Sequence, residues 1–149
     1  MFSKSSKPIS KEEMSILESE LNLVFPEEFM ELYYEFNGGI PNKPFFYSEE
    51  SDIEIEIQRF SPIKYTCKDS STRTLEEKYL LFREKAEIMS QYLPFANDYG
   101  ANQICIHLDS GKIYIVYMDV GEIKDECIVF LSDSMKAFIA GLSDQSVED

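Results

Sequence analysis

Nine residues from Asp52 to Phe60 constrain this chain more than any others. Asp52-Ile53-Glu54-Ile55-Glu56-Ile57-Gln58-Arg59-Phe60 alternates between acidic or polar and apolar residues. Successive side chains of a strand point to opposite faces, so a period of two predicts a half-buried strand. Ile53, Ile55 and Ile57 then face a core while Asp52, Glu54 and Glu56 face the other way. Those like charges also oppose edge-to-edge aggregation.

Helices are expected on either side of that strand. Ser10-Lys11-Glu12-Glu13 has the S-x-x-E form of a capping box, Ile9 and Met14 occupy the staple positions, and Met14, Leu17 and Leu21 recur at helical spacing. A second helix is expected from about Pro26, whose fixed φ suits a first turn, with Glu27 and Glu28 near the positive dipole end. Phe29, Leu32, Tyr33 and Phe36 form its buried face. Asn37-Gly38-Gly39 ends it, because reversal through left-handed backbone is cheapest for Gly and then Asn. Residues 40–47 read as a loop carrying prolines and aromatics.

Behind Thr74-Leu75-Glu76-Glu77, a second capping box, Leu75, Tyr79, Phe82, Ala86 and Met89 predict a helix of about sixteen residues. Leu93-Pro94-Phe95-Ala96 leads into a turn at Asn97-Asp98-Tyr99-Gly100. Residues 103–108 alternate as a strand, Asp109-Ser110-Gly111-Lys112 reads as a hairpin turn into residues 113–118, and residues 127–131 make a further strand. Ser132 or Asp133 caps a last helix bearing Met135, Phe138, Ile139 and Leu142. Hairpin-connected strands with helices outside them predict an α+β fold, a mainly antiparallel sheet flanked by two N-terminal helices and one C-terminal helix. The 149 residues, 44% apolar and without repeat or linker, make one domain over residues 10–142. Residues 1–9 and 143–149 are expected to be flexible tails.

Little catalytic chemistry is visible. His107 is the sole histidine, and no H-x-E, H-E-x-x-H or paired C-x-x-C pattern accompanies it, so no metal site is expected. Cys105 shares a strand face with His107, but without a third orienting group the pair reads as packing. Gly38-Gly39 is followed by Ile40-Pro41, which fits no phosphate loop, and no G-x-G-x-x-G exists. Asp98, Asn102 and Asp109 lack the spacing of a calcium loop. The expectation is a protein without enzymatic activity or cofactor.

Charge carries more information. Acids outnumber bases 28 to 14, a formal charge of −14 that disfavours direct binding to nucleic acid or anionic membrane and points to a basic partner. Residues 10–56 hold 13 acids against Lys11 and Lys43, whereas residues 57–88 hold seven bases against five acids. An acidic docking surface would steer a basic partner in a salt-sensitive way. No hydrophobic stretch long enough to span a membrane and no signal peptide is present. Cys67, Cys105 and Cys127 are far apart and leave one unpaired under any bridging, so reduced thiols and a cytoplasmic location are expected.

Glu18, Leu21, Phe25-Pro26-Glu27-Glu28-Phe29, Tyr33 and Asn37-Gly38-Gly39 resemble the N-terminal signature of the SUKH superfamily. Leu93-Pro94-Phe95-Ala96-Asn97-Asp98-Tyr99-Gly100-Ala101-Asn102-Gln103-Ile104-Cys105 is similar to its l-P-F-a-x-D-x-G-G-N-x-[IV]-C segment. Ile113-Tyr114 and Ser134-Met135-Lys136-Ala137-Phe138-Ile139 resemble its later strand and final helix. The likeness runs from about Ser10 to Leu142. Phe25, Ala101 and Met135 depart from it, standing where Leu, Gly and Phe are usual.

The resemblance implies an α+β domain that binds proteins. Many bacterial members are immunity proteins that neutralise toxin domains, often nucleases, of polymorphic or contact-dependent systems. A fungal branch regulates cell-wall synthesis, which makes a regulatory adaptor of endogenous cytosolic proteins the alternative. On the immunity reading Glu27, Glu31, Glu35, Glu49, Glu50, Glu54 and Glu56 contribute to a surface for a basic toxin domain. Pro26, Asn37, Gly38, Gly39, Phe95, Asp98, Gly100 and Asn102 carry the resemblance itself and are expected to be turn formers, caps and core anchors.

Overall fold

Ile55 and Ile57, inner residues of the alternating segment, are buried, while Glu56 and Gln58 between and beyond them are exposed. The computed structural model describes residues 1–66, 73–118 and 121–147, so Cys67 lies outside the described residues. In chain order the elements are β1 (Phe2–Ser3), α1 (Lys11–Leu21), α2 (Glu27–Glu35), β2 (Ile40–Pro41), β3 (Phe45–Ser48), β4 (Ile53–Phe60), α3 (Leu75–Lys85), β5 (Tyr92–Asp98), β6 (Gln103–His107), β7 (Ile113–Val116), β8 (Ile128–Ser132) and α4 (Met135–Ala140). Strands β3 to β8 form one sheet in sequence order, each neighbour antiparallel, and β1 with β2 forms a separate two-stranded ladder. The fold is α+β, as expected. No helix among the described residues is long and apolar enough to cross a membrane.

One face of the large sheet carries the main core. Met14, Leu17 and Leu21 of α1, Phe29 and Tyr33 of α2, and Met135 and Phe138 of α4 pack there against Ile55, Ile57, Leu93, Phe95, Ile104, Ile106, Ile113 and Ile115. On the opposite face Cys105, Val116 and Met89 build a smaller cluster. Helix α3 serves both, giving Leu75 and Tyr79 to the first and Phe82 to the second.

That division explains why the expected sixteen-residue helix is broken. Helix α3 stops at Lys85, Ala86 adopts extended backbone, and a 3-10 turn at Glu87–Gln91 carries Met89 to the second cluster. A continuous helix would have kept Met89 on the stripe of Leu75 and Tyr79, which faces the other core.

Three further expectations are corrected. Residues 40–47 contain β2 and β3, whose aromatic run Phe45-Phe46-Tyr47 pairs with β4. Residues 92–98 form a central strand despite Pro94, which falls past the last β4 partner of β5, at Ala96, and beside a register shift against β6. The last helix is capped by Ser134, whose Oγ accepts from the Ala137 amide at 3.0 Å.

Nor do the terminal segments stand apart from the domain. Phe2 packs its ring against Phe36 and Phe60 at 5.1 and 4.8 Å, and β1 pairs with β2. At the other end Ser143 exchanges two backbone hydrogen bonds with Phe45, covering the outer edge of β3. A lone aromatic in a polar stretch gives no periodicity to read, and its partners are tens of residues away.

Both capping boxes form, at Ser10/Glu13 and Thr74/Glu77. Glu13 does more than cap, since its carboxylate also accepts from Lys64 Nζ at 2.8 Å and from the Tyr65 hydroxyl. These bonds hold its pKa down from 4.5 to about 2. A depressed carboxylate pKa contributes stability above the unfolded value that is lost as pH falls through the folded one. Glu13→Gln is therefore expected to lower the urea midpoint at pH 7 but to match the parent near pH 2. Equal deficits at both pH values would refute the charge-linked account.

Candidate partner-binding surface

Helix α2 is fixed from beneath. Phe29 and Tyr33 are fully buried, and Tyr33 Oη donates to the carbonyls of Ser61 and Phe95 at 2.8 and 3.1 Å. The Glu28 carboxylate accepts from the Lys136 amide at 3.1 Å, tying α2 to α4. With those residues committed inward, Glu27, Glu31 and Glu35 are left exposed at i, i+4 and i+8.

This stripe works against the helix that carries it. Like charges at i,i+4 destabilise by about 0.2–0.5 kcal/mol per pair. Glu35 adds a negative charge in the last turn, where the dipole is already negative and no basic residue offsets it. None of the three forms an ion pair among the described residues. Helix α1 and the following loop enlarge the surface with exposed Glu12 and Glu20 and with Ile16 and Val24, which are 58% and 77% exposed. Sequence reasoning missed these two apolar residues. Ile16 signals itself only by falling off the Met14, Leu17 and Leu21 stripe.

The other four glutamates do not join this surface. Glu49 and Glu50 are exposed at the turn between β3 and β4, and Glu54 and Glu56 project from the sheet face opposite the helices. Glu54 is partly used inside the fold, accepting from the Val147 amide at 2.7 Å and from the Ser146 hydroxyl. The seven acids thus divide into an α2 group and a β3–β4 group on different sides of the domain, because α2 packs on the isoleucine face of β4.

The residues that carry the resemblance are joints. Asn37 is 2% exposed and makes three bonds with its side chain, donating to the carbonyls of Lys7 and Ile63 and accepting from the Ile63 amide. Gly38 and Gly39 take positive φ, and Gly39 exchanges backbone bonds with Phe60. Pro26 is the N-cap of α2, one position before the place expected for it. Glu18 accepts from the Phe25 amide at 2.7 Å and so sets the α1–α2 connection. Phe95 is buried between Phe60 and Phe138.

Asp98 and Asn102 close the β5–β6 turn. Asp98 accepts from the amides of Gly100 and Asn102 and from Asn102 Nδ2, and Asn102 Oδ1 accepts from the Met118 amide at 3.0 Å. Ala101, where glycine is usual, sits at φ 64°. Left-handed backbone costs a residue with a Cβ about 1–2 kcal/mol, partly offset by the greater unfolded-state entropy of glycine. Ala101→Gly is expected to raise stability by about 0.5–1 kcal/mol, read from chemical denaturation, and a loss of stability would contradict that balance.

Cys105 and His107 do project from one face, as expected, but they are engaged separately. Cys105 is buried, and burial pushes its thiol well above the ordinary range. His107 Nδ1 accepts from the Ser110 amide at 3.2 Å, and its ring lies edge-on to Tyr92 at 5.1 Å. Among the described residues no three His, Cys, Asp or Glu side chains are grouped as metal ligands would be.

Across most of the chain, residues 8–141, the sequence matches the family described as SMI1 / KNR4 family (SUKH-1). No curated protein matches it.

Proposed function

Because the chain belongs to the SMI1/KNR4 family (SUKH-1), a branch of the SUKH superfamily, we propose that it is a non-enzymatic immunity protein that binds and neutralises a basic toxin domain in the cytoplasm. The observation that carries this reading is the acidic stripe of α2. Glu27, Glu31 and Glu35 repel one another and the helix dipole, and no described base compensates them. A surface that costs its own fold stability is explained when a partner supplies the opposite charge. A nuclease domain, basic in order to hold nucleic acid, meets that requirement. Exposed Ile16 and Val24 beside the acids add the apolar contact that a stable interface needs.

The test is affinity capture of the tagged protein from its source lysate at low and high salt, followed by co-expression with what is captured. Recovery of a basic toxin domain, reduced by salt, with protection of cells that express both, is the expected result. Capture of endogenous regulatory or envelope-synthesis proteins without protection would replace immunity by the adaptor function.

A further inference from the structure

Three cations meet on the sheet face opposite α1 and α2. Arg59 of β4, Asn97 of β5 and Gln103 of β6 form one cross-strand row. The register shift between Ile57 and Arg59 sets both Gln58 and Arg59 against Asn97, as a bulge does, and Asn97 Nδ2 donates to Gln58 Oε1 at 2.8 Å. Lys78 reaches this row from α3, its Nζ donating to Asn97 Oδ1 at 3.2 Å and to Ser61 Oγ at 2.8 Å. Arg73 and Lys78 hold the N′ and N4 positions of α3, which face each other at a helix start.

In a chain with twice as many acids as bases, this grouping runs against the prevailing charge. No described carboxylate pairs with Arg59, Arg73 or Lys78. Lys78 is only 9% exposed. Burial first, with repulsion from Arg73 and Arg59, lowers its pKa from 10.5 to about 8, and the buried Cys105 thiol beside it stays protonated and brings no negative charge. Gln103, 4% exposed, donates through Nε2 to the Ala101 carbonyl, but its buried Oε1 has no partner. The row thus lacks an anion for its cations and a donor for its one orphaned acceptor.

We propose that Arg59, Arg73 and Lys78, with Asn97 and Gln103, form a binding site for a small phosphate-bearing anion. Its charged oxygens accept from Lys78 and the two guanidiniums, and an O–H of the ligand donates to Gln103 Oε1. Inorganic hydrogen phosphate has both features at neutral pH, and so does a sugar phosphate through its hydroxyls. Sulfate has the charge without the donor. The site is independent of the immunity reading and lies away from the α2 stripe.

Titration of the full chain by calorimetry and amide NMR, at constant ionic strength, with inorganic phosphate, ribose 5-phosphate and sulfate tests this. Saturable phosphate binding is expected, centred on residues 59, 78, 97 and 103 and weaker for sulfate. Binding should fade as pH rises past 8, where Lys78 loses its proton. Tighter binding of ribose 5-phosphate would identify the ligand as an ester, and equal or weaker binding as the free ion. Lys78→Met should weaken binding about tenfold or more. Because that variant alters a buried residue, Arg59→Ala with Arg73→Ala, both in more accessible positions, should give a comparable loss in a chain with unchanged spectra. Absence of saturable binding, equal affinity for sulfate, or full affinity in the double variant would overturn the proposal.

Discussion

Gly38→Ala is expected to remove most of the stability of this domain. A Cβ at Gly38 would stand 2.8 Å from both the Phe60 carbonyl oxygen and the Pro62 nitrogen and 2.9 Å from the Ser61 carbonyl carbon, all backbone atoms, at φ +74°. The left-handed conformation alone costs about 1–2 kcal/mol. Overlap with a backbone that cannot rotate away adds about 1–3 kcal/mol. A combined cost of about 2–5 kcal/mol is a large part of the 5–15 kcal/mol typical of a whole domain. Gly111 provides the control, since it has φ +75° with nothing within 4 Å of a new Cβ. Urea denaturation should show Gly111→Ala losing only the conformational part. If both variants lost the same amount, the close approach of the Asn37-Gly38-Gly39 turn to the end of β4 would not be what makes Gly38 necessary.

Reversing Glu27, Glu31 and Glu35 to Lys together is expected to weaken toxin binding by about 10–150-fold, taking about 0.5–1 kcal/mol for each exposed pair. Folding should be unimpaired, because the change relieves dipole repulsion at the end of α2 and lowers a large net negative charge. Reversal of Glu49, Glu50 and Glu56 supplies the comparison, since it alters charge equally on another side of the domain. Binding measured across a salt series should separate them, the α2 variant losing both affinity and salt dependence. Equal losses in the two triple variants would mean that net charge, rather than the α2 surface, governs association.

Much of the architecture was legible because it follows from local chemistry. The two capping boxes formed at Ser10 and Thr74 with both reciprocal bonds. The alternation through Ile53, Ile55 and Ile57 became β4 with its apolar face inward. Each signal lies within a few residues and needs no knowledge of distant partners. The division of the acids was not legible: Glu31 and Glu56 look alike in sequence, and only the packing of α2 on the isoleucine face of β4 puts them on different sides.

The same boundary separates the remaining features. Local periodicity, capping and turn chemistry determined the α+β class, the helix starts, the alternating strands and the reversal at Asn37-Gly38-Gly39. Tertiary structure alone decided that Phe2 docks between Phe36 and Phe60, that Pro94 enters a central strand, and that Met89 leaves the helix of Tyr79 for the other face. It also decided that Lys78 meets Arg59 and Gln103 on that face, because α3 crosses strands distant in sequence. Short-range patterns encode the free energy of single elements, whereas these placements depend on surfaces that exist only once the elements have met.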